Sequence, residues 1–196
     1  MMMAKAEDVT SILLAGVGGQ GIIRASDLLS LGLMAAGFDV KKSEVHGMAQ
    51  RGGCVTSHVR YGAKVYSPLA RKGDVHILVA FEKLETLRYL DYLRPDGMII
   101  INDEELYPPA VNLGQASYPA DIVGLVRRQL RQVKLIDAPT LALQAGNPRT
   151  ANIALLGILS RHVPVPDDCW EALLREQFPE KAVAANLAAF HLGRQA

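Results

Sequence analysis

The sequence predicts an α/β fold: an open, mostly parallel Rossmann-like sheet with helices on both faces and a helical C-terminal end. Three observations lead there. Short aliphatic runs alternate with amphipathic helical patterns, as strands crossed by helices do. A glycine-rich turn, Gly16-Val17-Gly18-Gly19-Gln20-Gly21, joins the first such run to the first helical pattern. No repeat or low-complexity tract interrupts the 196 residues, which are read as one domain spanning 1–196.

Thr10–Ala15 reads as a buried strand. A helix follows from Ile22 to Ala36, because Ile22, Ala25, Leu29 and Leu33 share one face and Gly37 ends it. Phe38–Ser43 is a second strand, and Glu44–Gly53 a polar, glycine-containing loop. Cys54–Tyr61 alternates Val55, Ser57 and Val59 as a half-buried strand does, with Lys64–Tyr66 as its hairpin partner across Gly62-Ala63. Val75–Phe81 is a further strand. Leu84, Leu87 and Leu90 mark a helix over Glu82–Leu93, stopped by Pro95 and Gly97. Met98–Ile101 is a strand, and the prolines between Tyr107 and Pro119 imply an irregular connection. Asp121–Gln132 reads as a helix and Val133–Ile136 as a strand. Asn147 caps a helix that admits Pro148 in its first turn. The following run, Thr150–Ser160, is apolar nearly all round and must be buried on several sides. Two more helices fill the chain from Asp167 onward.

Apolar residues make up 49% and charged residues 21%; 21 basic side chains against 20 acidic ones leave a net charge of +1. That balance offers no electrostatic footprint for DNA, RNA or an acidic membrane surface. No apolar run is long enough to span a bilayer, and the first ten residues carry no signal-peptide core. Cys54 and Cys169 lie far apart and form no C-x-x-C pair, so this chain's thiolates alone cannot assemble a zinc site or an iron–sulfur cluster. A reduced, cytoplasmic protein is expected.

Two loops concentrate chemistry. In Gly16–Gly21, glycines permit positive φ and the helix N-terminus offers free N–H groups, which suits a dinucleotide or phosphate. The same turn equally serves to pack the first helix tightly on the sheet. Glu44 stands near the place of a ribose-binding acid, but a basic, glycine-rich loop follows at once. No Lys-Ser/Thr follows Gly21, so the turn is not a P-loop. The second loop gathers His46, Gln50, Arg51 and Gly52 between two strands, where they reach a ligand or partner or form a solvated connection. Further along, Arg149 beside Asn147 and Asn152 either holds an anion at a helix start or accompanies a simple cap by Asn147. His58 and His76 read as packing or edge residues within strands, and Cys54 as a buried strand thiol.

Taken together, Ala15–Gly21, Ser43-Glu44-Val45-His46-Gly47-Met48-Ala49-Gln50-Arg51-Gly52-Gly53 and Ser57-His58-Val59-Arg60 resemble the gamma-type subunits of 2-oxoacid:ferredoxin oxidoreductases. The His46–Gly53 run is similar to the indolepyruvate branch of that family, whose small chain is its beta subunit. Val65-Tyr66-Ser67-Pro68, Ala80–Glu85, Gly146–Asn152 and Leu155-Leu156-Gly157 continue the resemblance in order along most of the chain. The resemblance implies a complex that oxidatively decarboxylates a 2-oxoacid, passes electrons to ferredoxin and forms an acyl-coenzyme A. It places thiamine diphosphate, Mg and [4Fe-4S] clusters in a large alpha subunit, with coenzyme A as co-substrate. On this chain it implies no catalytic residue and no metal ligand. Gly16, Gly18, Gly19, Gln20, Gly21, Glu44, His46, Gln50, Arg51, Gly52, Asn147 and Arg149 would then contact cofactor or partner. Two alternatives stand beside it: a gamma subunit acting on pyruvate, branched-chain 2-oxoacids or 2-oxoglutarate, and a free-standing NAD-binding Rossmann protein.

Overall fold

The computed structural model describes residues 9–46 and 53–196. Strands β1 (Thr10–Val17), β2 (Asp39–His46), β3 (Cys54–Gly62), β4 (Val75–Ala80), β5 (Leu93–Asn102) and β6 (Gln132–Ile136) form one sheet in the order β2-β3-β1-β4-β5-β6. The pairs β1/β4, β4/β5 and β5/β6 are parallel, whereas β3 is antiparallel to both β1 and β2. Only β3 therefore runs against the rest, and the expected mostly parallel sheet is found.

Helices α1 (Ile22–Ala35), α2 (Lys83–Tyr89), α3 (Pro109–Asn112), α4 (Ile122–Gln129), α5 (Ala138–Gln144), α6 (Ala151–Ser160), α7 (Asp167–Gln177) and α8 (Glu180–Gln195) connect and flank the strands. Alternate strand residues point to opposite faces, and both faces are covered. Ile12, Leu14, Val79 and Ile100 pack against Leu28 and Leu29 of α1, Leu155 of α6, Trp170 of α7 and Phe190 of α8. Leu13, Ala15, Leu78, Ile99 and Ile101 pack on the other face against Ile122 and Val126 of α4. Every residue of α6 from Asn152 to Ser160 is buried. Its backbone touches that of α8: a Cβ at Gly193 would lie 1.9 Å from the Ala154 carbonyl oxygen, and one at Gly157 only 2.2 Å from that of Phe190.

Several elements differ from the sequence reading. The helix expected over Glu82–Leu93 ends at Tyr89, a 3₁₀ turn covers Leu90–Tyr92, and β5 already begins at Leu93. Pro95 and Gly97 lie inside β5, where its register against β4 jumps between Val75↔Leu93 and Ile77↔Met98. Such an irregularity accommodates a residue without an N–H and one without a side chain. Lys64–Tyr66 is not a strand, because β1 and β2 already occupy both edges of β3. The Val65 amide donates instead to the Asp39 carboxylate at 2.9 Å. Glu44 to His46 extend β2 rather than beginning a loop, and α5 follows β6 directly, capped by the Asp137 side chain on the Thr140 amide.

Candidate functional site

From β1 the chain crosses to β2 on one side and later enters β4 on the other, so the point where the direction of winding reverses lies between β1 and β4. Ligands of open α/β sheets gather at the carboxyl ends of strands there. The Gly16–Gly21 turn closes this end of β1. A Cβ at Gly16 would stand 2.7 Å from Phe81 Cβ and 2.8 Å from Gln20 Oε1, so only glycine fits. Gln20 folds back under its own loop. Its Oε1 accepts from the Val17 amide at 2.8 Å, and its Nε2 donates to the Phe81 carbonyl at 2.8 Å and to Glu104 Oε2 at 2.9 Å. Asn102 Nδ2 donates to the same two acceptors, each at 3.0 Å, and Asn102 Oδ1 accepts from the Ala138 amide. One polar network thereby ties the ends of β1, β4 and β5 to the start of α5.

Gly21 opens α1 in the left-handed conformation, φ 79°, and its carbonyl accepts from Asn152 Nδ2 of α6 at 3.3 Å. Around these atoms lies a cleft of about 460 Å³, bordered by Gly19, Gln20, Gly21, Phe81, Asn102, Glu104, Pro139, Pro148, Arg149, Ala151, Asn152 and Leu155. In a pyrophosphate cradle, loop N–H groups and a helix N-terminus face the anion. Here the Gln20 side chain crosses the inner side of the loop, and a carboxylate stands on the floor, where it repels phosphate oxygens.

A second hollow of about 390 Å³ flanks Gly18 on the side of Cys54, Glu85 and Tyr107. The Cys54 thiol lies 2.9 Å from Glu85 Oε2 and 2.8 Å from the Tyr89 hydroxyl. Burial first, and the Glu85 contact second, push this thiol up to about 11. It is therefore protonated at neutral pH and a poor nucleophile. Burial likewise raises the Glu85 carboxyl. Glu82, 1% exposed, caps α2 on the Glu85 amide and also accepts from the Leu106 amide and the Tyr118 hydroxyl. It pins the irregular segment after β5 to the sheet.

Of the candidate residues, Gly19, Gln20, Gly21 and Arg149 border the first cleft, Gly16 underlies it, and Gly18 borders the second. The Gly18 amide donates to the Gly53 carbonyl at 2.8 Å. Asn147 Oδ1 accepts from the Arg149 amide, which is the capping role. Glu44 is on edge strand β2, separated from β1 by β3 and paired with Lys42. That position is not adjacent to the glycine turn, as the ribose acid of a dinucleotide fold would be. His46 ends β2; Gln50, Arg51 and Gly52 lie outside the described residues. His58 Nδ1 accepts from the Ala70 amide and His76 Nδ1 from the Ser11 amide. Both rings are held neutral, with burial lowering their proton affinity. Glu104 and Asn102 escaped the sequence reading, and Asn152 entered it only beside Arg149 at a helix start, not as a partner of the glycine turn. The available signal was an acidic run, Asp103-Glu104-Glu105, directly after an apolar strand. Among the described residues, no group of three His, Cys, Asp or Glu side chains is placed to hold a metal ion, and no helix is long and apolar enough to cross a membrane.

Comparison with known proteins adds three findings. The family model for pyruvate ferredoxin/flavodoxin oxidoreductase matches residues 11–196. Indolepyruvate oxidoreductase subunit IorB of Pyrococcus horikoshii is 38% identical over 191 residues, which cover 95% of each chain. Two solved structures share the fold. The gamma subunit of keto/oxoacid ferredoxin oxidoreductase from Geobacter sulfurreducens superposes with a TM-score of 0.70 at 22% identity, covering 95% of this chain and 96% of that one. The 2-oxoglutarate:ferredoxin oxidoreductase of Magnetococcus marinus, solved with 2-oxoglutarate, coenzyme A and succinyl-CoA bound, superposes with a TM-score of 0.75 at 23% identity. This chain is covered to 96% there but spans only 31% of that longer one.

Proposed function

The chain belongs to the pyruvate ferredoxin/flavodoxin oxidoreductase family, and from that membership we propose that it is the small subunit of an indolepyruvate-type 2-oxoacid oxidoreductase. The observation that carries this reading is the likeness to an IorB chain along 95% of both sequences. The complex oxidatively decarboxylates an arylpyruvate to an aryl-acetyl-coenzyme A and reduces ferredoxin, in the cytoplasm. Thiamine diphosphate, Mg and [4Fe-4S] clusters reside in the large alpha subunit and supply the carbanion and electron-transfer chemistry. Coenzyme A enters as co-substrate.

This chain contributes a face. β1, β4 and β5 end there, and β2 ends and β3 begins along the same side of the sheet. The residues between β2 and β3 include Gln50 and Arg51. The planar fork of Arg51 suits a carboxylate or phosphate, on a ligand or on the partner. Gly16 and Gln20 keep the turn at the end of β1 closed and rigid, so that the face is preformed for docking. Replacing Arg51 by alanine lowers turnover of the complex and leaves the fold of the chain intact.

A second reading, the gamma subunit of a sister complex acting on pyruvate, branched-chain 2-oxoacids or 2-oxoglutarate, draws on the shared fold with the Geobacter gamma chain. One experiment separates the two. The chain is used as bait for anaerobic purification from its native cell, and the eluate is assayed for coenzyme A-dependent viologen reduction. Activity on indolepyruvate and phenylpyruvate with a large brown partner supports the first reading. Activity on pyruvate or 2-oxoglutarate moves the chain to a sister complex. A colourless protein that elutes alone and is inert on every acid refutes both.

A further inference from the structure

We infer that the cleft beside the Gly16–Gly21 turn receives a basic side chain of the large partner subunit, an arginine or lysine seated between Glu104 and Asn152. The inference rests on the subunit reading above and adds the chemistry of one contact. It follows from which polar atoms the fold has already used. Glu104 Oε2 accepts from both Gln20 and Asn102, but Glu104 Oε1 has no donor among the described residues. The nearby cation, Lys83, is committed to Asp103 and Glu105. Asn152 is 8% exposed and borders the cleft. Its Nδ2 is directed at the Gly21 carbonyl, which turns Oδ1 away, and Oδ1 too has no donor among the described residues.

The donors of Gln20 and Asn102 are spent inside the network. Between Glu104 and Asn152 the cleft therefore offers a carboxylate oxygen and an amide oxygen, while the Arg149 guanidinium stands on its border. A phosphate or carboxylate seated there brings more acceptors and meets repulsion from Glu104. A guanidinium brings five donors and an ammonium three, each with the opposite charge. Pro139 and Leu155 supply apolar walls for the methylene stem of such a side chain. A macromolecular source fits better than a free cation, because large apolar side chains stand exposed around this end of the sheet. Leu106 is 36% exposed, Tyr107 51% and Leu143 of α5 64%. A docked subunit covers them, and it also excludes the water that would weaken the charge pair. Arg149, exposed at the rim, then orients the approach by meeting an acidic group of the partner.

The test uses the co-expressed complex. Glu104→Gln and the control Glu105→Gln, an exposed acid outside the cleft, are compared with the natural chain for affinity to the large subunit at low and raised ionic strength. Glu104→Gln is expected to weaken assembly by about tenfold or more and to flatten its salt dependence, as loss of a buried charge pair does. Glu105→Gln stays within about twofold, as a rim charge does. Equal affinity for Glu104→Gln and the natural chain, or equal weakening by both variants, overturns the inference. Hydrogen–deuterium exchange on the natural complex gives a readout independent of any variant. Assembly should protect the amides of Gly19–Ile23 and Asp103–Glu105, and unchanged exchange there overturns the inference even though the subunits assemble. A thermal shift of the isolated chain by free coenzyme A that Glu104→Gln abolishes would give the cleft to a small molecule and overturn it too. If the natural chain captures no large subunit at all, the subunit reading falls and takes this inference with it.

Discussion

Replacing Gln20 by glutamate keeps the shape of the side chain and reverses two of its hydrogen bonds. The retained oxygen still accepts from the Val17 amide. The former amide nitrogen, 2.8 Å from the Phe81 carbonyl and 2.9 Å from Glu104, becomes an oxygen that faces two acceptors. Two carboxylates some 4 Å apart at an effective dielectric constant near 20 repel by about 4 kcal/mol. Sharing a proton relieves part of this and raises the apparent pKa of the pair. The variant should therefore lose about 3 kcal/mol at pH 7.5, or roughly 6–12 °C in Tm for a chain of this size. Gln20→Ala serves as the control. It orphans the Val17 amide, but the Phe81 carbonyl and Glu104 keep Asn102 as donor, so it costs about 1–2 kcal/mol with little pH dependence. The assay is urea denaturation of the purified chain at pH 7.5 and pH 4.5, each variant against the natural chain at the same pH. The glutamate variant should recover most of its loss at pH 4.5. A loss equal at both pH values, or smaller than that of the alanine variant at pH 7.5, refutes the account of the loop as a turn sealed by Gln20 over Glu104.

Gly193→Ala places a methyl group 1.9 Å from a backbone oxygen of α6, which no rotamer can relieve; overpacking should cost about 3 kcal/mol or more by thermal melting. His58 and His76 accept backbone N–H bonds on Nδ1 and are held below the ordinary histidine value of 6.5. Their contribution is complete above about pH 6.5 and is lost as pH falls through their folded values, so His58→Gln should flatten the decline of stability seen on acidification. Glu85, raised by burial, acts in the opposite sense and bounds how steep that decline becomes. Cys54, held at about 11 by burial and Glu85, should alkylate with iodoacetamide at pH 8 far more slowly than an ordinary thiol; rapid modification would contradict the Cys54–Glu85–Tyr89 contact.

The centre of the sheet was legible in the sequence because β1, β4 and the second half of β5 are buried on both faces and read as unbroken aliphatic runs, such as Ile12–Ala15 and Ile77–Ala80. The helix α6 was legible for the same reason. Pro95 and Gly97 misled, because their effect depends on the register of β5 against β4, which no local pattern encodes. The insertion of β3 between β1 and β2 is equally a tertiary fact, and it is what moves Glu44 away from the glycine turn. At the candidate site, the glycine turn announced itself, but its chemistry did not. Whether Gln20 faces a ligand or seals the loop depends on Phe81, Asn102 and Glu104, between 61 and 84 residues further on. Asn152, 131 residues from Gly21, could be joined to the turn only by the fold.

The central claim, that this chain completes an oxidoreductase whose prosthetic groups lie elsewhere, is tested most directly by reconstitution. The large subunit is expressed and loaded anaerobically without this chain, and coenzyme A-dependent viologen reduction on indolepyruvate is followed as the chain is titrated in. The account predicts negligible turnover at first, then a rise that saturates at a fixed stoichiometry. Full activity of the large subunit alone, or no response to any amount of this chain, would contradict it.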